Sequence, residues 1–208
     1  MNRVLVFGIL AALAGCSSGA ASKVEKVPDR HAYGDITKLR PGQWASYKEG
    51  DRSFTLAAVG VSGDSMWIEL IEEGDPRLVS ARLVSPDGVV RKAFYGEIAK
   101  DGTRSSVEPQ TLEQNGTTSA EGLRETSRET DQETVKVAGR ELTAHRVSVR
   151  YEDLEGRLIR EVTLWNKDVP PVYAGTDAGG LVRRTRATST VELTGFGSDA
   201  KPLLNLPP

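Results

Sequence analysis

The 208-residue sequence predicts a mainly β fold: an antiparallel sheet of about nine strands, with short helices or an irregular insertion covering one face. Three observations carry this. From Gln43 onward, short runs of Val, Leu, Ile, Thr and aromatic residues are separated by Gly, Asp and Pro clusters. The longest runs alternate apolar and polar side chains with the period of two that a half-buried strand requires. The composition, with 38% hydrophobic and 27% charged residues, 21 glycines and one cysteine, is that of a globular chain and excludes a collagen or a disulfide scaffold. One domain is the default at this length. The net charge of -2 is spread along the chain, so no basic stripe suited to nucleic acid is present.

The chain opens with a positive leader, Met1-Asn2-Arg3, and an apolar run, Val4 to Gly15, that ends in small residues. A spanning helix needs about 20 apolar residues, so residues 1–15 read instead as a secretory signal peptide. Leu13-Ala14-Gly15-Cys16 resembles the lipobox of bacterial lipoproteins. That resemblance implies a diacylglyceryl group on the Cys16 sulfur, cleavage before Cys16, and acylation of the new amino group by a chain such as palmitate. Several acyl chains hold a protein on a membrane far better than one. Ser17, standing where an Asp would retain some lipoproteins in the inner membrane, implies outer-membrane delivery, with the domain facing periplasm or surface. Cys16 is the only cysteine, so no intrachain disulfide can form. Residues 16–42 are the lipidated cysteine and a tether: Ser17 to Lys26 is small and polar, and Tyr33, Ile36 and Leu39 predict a short helical turn before Pro41-Gly42.

The β domain then occupies residues 43–208. Strands are expected at Trp44–Lys48, Phe54–Val61, Met66–Ile71, Leu78–Ser85 and Val89–Tyr95. Ser62-Gly63-Asp64, Glu73-Gly74-Asp75-Pro76 and Pro86-Asp87-Gly88 supply the turn residues between them. Four further strands follow a break: Val135–Val137, Leu142–Tyr151, Arg157–Trp165 and Leu181–Leu193. In the second of these, His145, Val147, Val149 and Tyr151 share a face opposite Ala144, Arg146, Ser148 and Arg150, which predicts a sheet covered on one side only. The break, about residues 97–133, is a polar insertion with Ile98, Val107, Leu112 and Leu123 as its few apolar anchors. Either it is a disordered excursion, or Pro109–Asn115 and Ala120–Thr130 form short helices over the open face; the need to cover that face favours the helices.

A search for catalytic chemistry returns little. His31 and His145 are the only histidines and have no metal-ligand spacing, so no metal site and no cofactor is expected. Gly63-Asp64-Ser65-Met66 resembles the nucleophile block of GDSL hydrolases, but no Asp-x-x-His follows, and the hairpin context makes Ser65 the last residue of a turn. Glu69, Glu72, Glu73 and Asp75 read as a solvated hairpin end. Arg183-Arg184-Thr185-Arg186 is either a strand face opposite acidic neighbours or a contact for lipid headgroups or an anionic glycan. Trp44, Trp67 and Trp165 are the chief aromatic payload and read first as core. A second reading places Trp67, Phe94 and Trp165 on one concave face as the lining of an apolar ligand site.

Leu39-Arg40-Pro41-Gly42-Gln43-Trp44-Ala45-Ser46-Tyr47 opens the domain, Val135 to Leu142 carries a Val-x-Val-Ala-Gly-Arg-Glu-Leu run, and Trp165-Asn166-Lys167-Asp168-Val169-Pro170 with Gly180-Leu181-Val182 closes it. The order of these pieces resembles uncharacterised envelope lipoproteins whose sheet is similar to that of the Lol-type lipoprotein carriers. The resemblance implies a curved, half-barrel-like meander around an apolar cavity plugged by helices, and transfers no functional residue. The expectation is a non-catalytic, lipid-anchored envelope protein. It either binds a lipid or other hydrophobic ligand or serves as an accessory component of an envelope protein complex. A hydrolase is the less favoured alternative.

Overall fold

The computed structural model describes residues 36–107 and 123–207. Their strands are β1 (Trp44–Glu49), β2 (Arg52–Ser62), β3 (Ser65–Glu72), β4 (Arg77–Val84), β5 (Val90–Ile98), β6 (Arg104–Val107), β7 (Arg124–Val137), β8 (Arg140–Glu152), β9 (Leu158–Asn166), β10 (Gly175–Thr176), β11 (Gly179–Arg186) and β12 (Ser189–Gly197). All belong to one antiparallel sheet, ordered β6-β5-β4-β3-β2-β1-β12-β11-β9-β8-β7, with β10 paired to β11. The sheet is open, with β6 and β7 at its two ends. The first and last strands meet at its middle, where Trp44 of β1 lies opposite Ala57 of β2 and Gly197 of β12. Two meanders thus run outward from a shared seam, and sequence-adjacent strands pair wherever a tight turn joins them.

The predicted first meander is present, with strand ends displaced by up to three residues. The second half departs from expectation in three ways. The expected helix Ala120–Thr130 is corrected where it is described: residues 124–130 are strand, the start of β7, which runs from Arg124 to Val137. Ala138 and Gly139, with φ of 47° and 79°, form the turn after β7, so Val137 pairs with Arg140 and the register continues to Arg124 opposite Glu152. This edge strand is polar because its residues from Arg124 to Gln132 are exposed, so no alternation marks it in the sequence. The expected strand Leu181–Leu193 is a hairpin, β11 and β12, that turns at Ala187 with φ of 50°. β6 lies inside the supposed insertion. The other expected helix, Pro109–Asn115, lies outside the described residues. Among the described residues the only helical element is a single 3-10 turn at Ile36–Lys38.

The expectation of a sheet covered on one face is also corrected. On β2, Phe54, Leu56 and Ala58 enter one apolar cluster while Ala57 and Val59 enter another, so the central strands are buried on both sides. The larger cluster centres on Tyr47, Phe54 and Tyr173, whose ring centroids lie 5.1 to 5.7 Å apart. The Tyr47 hydroxyl donates to the Leu181 carbonyl at 3.1 Å. Val169, Val172 and Tyr173, from the connection between β9 and β10, cover this face together with Ile36 and Leu39. The other face is covered by the segment after β12, which brings Ala200, Leu204 and Leu206 against Trp44, Trp67, Leu83 and Phe94. β8 obeys no single wet-and-dry rule: Leu142 and Ala144 are buried on one stripe, Val149 on the other, and His145 is exposed. A long strand in a twisted sheet meets different neighbours along its length, so the buried stripe changes.

Candidate functional site

β8 and β9 build one wall and the floor of a groove. Their register sets His145 opposite Trp165, Val147 opposite Thr163 and Val149 opposite Glu161, so that all six share a face. β7 adds Arg128 opposite Val149 at one side. At the other side the β10–β11 turn supplies Thr176, Asp177 and Ala178, and the whole forms an open groove of about 480 Å³ that also takes in Tyr151. Its wall is held close to the preceding connection: a Cβ on Gly179 would sit 2.0 Å from the Asn166 carbonyl oxygen, and one on Gly180 would sit 2.5 Å from that of Pro170. Only glycine permits this approach, and Gly179 also has a φ of +104°.

Within the groove the Trp165 indole N–H donates to the Thr163 hydroxyl at 3.1 Å. Burial, followed by the Glu161 and Glu125 carboxylates, pushes the Tyr151 phenol above its ordinary range. Arg128 forms a two-pronged pair with Glu125 at 2.9 and 2.7 Å, Asp177 accepts from Lys38 at 2.9 Å, and Glu161 lies 3.7 Å from Arg186. The basic run is likewise engaged. Arg183 pairs with Glu133, and Arg184 donates to the Tyr173 hydroxyl at 3.0 Å while its guanidinium lies over that ring.

The three proposed lining residues do not share one surface. Trp67 and Phe94 meet with centroids 5.6 Å apart, on the face opposite Trp165 and beneath the segment that follows β12. Trp165 alone lines the groove. Cys16 lies outside the described residues.

Sequence reasoning missed the strap that covers Trp67 and the acid that holds it. Glu69, expected at a solvated hairpin end, is fully buried. Its carboxylate accepts from the backbone N–H of Leu203, at 3.1 and 3.0 Å to its two oxygens, and from that of Leu204 at 2.9 Å. Burial raises its pKa, opposed by the Leu204 and Leu203 N–H groups and the charge of Arg104. The signal was present, because Glu69 falls within the apolar run Met66-Trp67-Ile68-Glu69-Leu70-Ile71 rather than at its end. The strap is anchored further by Trp44 Nε1 donating to Asp199 at 2.8 Å and by Ala200 N donating to the Gly42 carbonyl at 2.9 Å. The Trp67 indole N–H is buried without a hydrogen-bond partner among the described residues.

Ser65 opens β3 opposite Ser62, as a turn residue should, and donates to Asp64 at 3.0 Å. Among the described residues no group of three His, Cys, Asp or Glu side chains is placed to hold a metal ion, and no helix is long and apolar enough to cross a membrane. The chain matches no known family model and no curated protein.

Proposed function

We propose that this protein is a non-catalytic bacterial lipoprotein of the cell envelope, anchored through acylated Cys16 in the outer membrane, whose β domain serves as an accessory component of an envelope protein complex. The lipobox at Leu13 to Cys16 supports the anchor. The observation that carries the accessory role is that, among the described residues, both faces of the central strands are packed with the chain's own apolar side chains, in the place where a carrier would hold its ligand. The finer architecture is a half-barrel. In its support, Arg183 of β11 reaches Glu133 of β7, three strands away in the sheet order, and the Arg140 guanidinium lies 5.2 Å from the Phe196 ring centroid. A curled sheet brings the first pair together more readily than flat strands about 4.8 Å apart would.

A second reading, binding of a lipid beneath the strap, is favoured by one feature. The Trp67 N–H is buried and unpaired beside Phe94, and an ester or carboxyl oxygen would satisfy it.

Metabolic labelling with a fatty acid in a Gram-negative host tests the anchor. Wild type is expected to incorporate the label and fractionate with the outer membrane, and Cys16→Ser to do neither. Labelling that survives the substitution would refute the assignment. Native mass spectrometry of the protein released from its host membranes separates the two roles: a bound protein partner supports the accessory role, and a stoichiometric lipid beyond the Cys16 acyl groups supports the second reading.

A further inference from the structure

The groove between β8, β9 and the 176–178 turn takes no part in anchoring or in the strap. We infer that it is a binding site for a neutral oligosaccharide.

Its floor is apolar and partly aromatic, formed by Val147, Val149 and Trp165 with Tyr151 at one end. Because the Trp165 N–H is already given to Thr163, the indole offers its ring surface, the surface on which the C–H face of a pyranose stacks. The rim is polar: His145, Arg128, Glu161, Thr176 and Asp177. All three of its charges are matched from outside the groove, Arg128 by Glu125, Glu161 by Arg186 and Asp177 by Lys38. An ionic ligand of either sign therefore meets charges already compensated. An alkyl chain would strip water from these groups and return no hydrogen bond. Sugar hydroxyls both donate and accept, so they complement a rim that mixes carboxylates with Arg, His, Thr and a protonated phenol. A volume of about 480 Å³ falls in the range of small-molecule sites. The close packing of Gly179 and Gly180 on the 166–170 connection holds the Asp177 wall in place, so little ordering is left for the ligand to supply.

The test is calorimetric titration of the intact acylated protein in phospholipid nanodiscs with two uncharged probes, chitotriose and maltotriose. At least one is expected to bind, with affinity changed less than about twofold by raising the salt to about 1 M, because no net charge is matched. Trp165→Ala is expected to weaken binding about tenfold or more, the loss of a central aromatic contact. Asp177 is fully exposed, so Asp177→Ala leaves the fold intact and is expected to weaken binding about threefold. Failure of both sugars to bind wild type, or equal binding by the Trp165 and Asp177 variants, overturns the assignment. Displacement of the sugar by an anionic oligosaccharide or by oleate at equal concentration does so too, by reassigning the groove to an ion or a lipid. None of these outcomes bears on Cys16, so the site and the anchor stand or fall separately.

Discussion

Replacing Glu69 with alanine is expected to release the strap rather than leave it docked with two unpaired donors. The carboxylate serves the N–H groups of Leu203 and Leu204. Each of these, if it stayed buried and unpaired, would cost about 1–3 kcal/mol. Lifting the strap instead exposes Leu204 and Leu206, both only partly buried. At about half the 1.5–3 kcal/mol of a fully buried leucine, the pair contributes about 2 kcal/mol. With the anchors at Asp199 and Ala200 left in place, release of residues 203–206 also uncovers part of Trp67 and Phe94, so Glu69→Ala is expected to lower global stability by about 2 kcal/mol or more, within the cost of keeping two unpaired donors buried. The assay is amide hydrogen exchange, in which Leu203 and Leu204 should lose protection while β8 and β9 keep theirs. Glu69→Gln retains a carbonyl acceptor and removes the charge, and it isolates the pH dependence. Burial raises the Glu69 pKa, so the folded state binds its proton more tightly than the unfolded state does. Its contribution to stability is therefore fully present below the ordinary glutamate value and is lost as pH rises through the raised folded value. Across that window wild type should gain stability relative to Glu69→Gln as pH falls, measured as the difference between their urea midpoints. Unchanged exchange at Leu203 and Leu204 in the alanine variant, or parallel midpoints for wild type and Glu69→Gln, would refute the reasoning.

Two further outcomes are expected from the core and the groove wall. Tyr47→Phe keeps the ring contacts with Phe54 and Tyr173 but leaves the buried Leu181 carbonyl without its donor, a loss of about 1–2 kcal/mol in urea unfolding. Gly179→Ala places a Cβ 2.0 Å from the Asn166 carbonyl oxygen at a φ of +104°, and its cost of about 3 kcal/mol or more should appear as a large drop in the thermal midpoint. A Gly179→Ala variant as stable as wild type would show that the 175–180 turn is free to shift.

Most of the sheet was legible because its signals are local. β1 to β5, β8 and β9 each carry an alternating or apolar run bounded by turn residues, and a turn such as Ser62-Gly63-Asp64 determines which neighbour pairs. The face shared by His145, Val147, Val149 and Tyr151 was likewise readable, since period two is a property of the strand itself. What faces that stripe was not.

The sequence by itself determined the antiparallel β class and the first meander. Each depends on residues within a few positions of one another. Tertiary structure alone decided the rest. The β7 edge strand exists because β8 offers it hydrogen bonds, whatever its polarity. Ala187 accepts a positive φ because β11 and β12 are both paired across it. Trp67 and Trp165 lie on opposite faces, and Glu69 is buried because the strap arrives from residues 203–204. The Glu69 contact joins residues more than a hundred positions apart, and the other outcomes depend on which strands the sheet sets side by side; those pairings compete with local propensity and in these places exceed it.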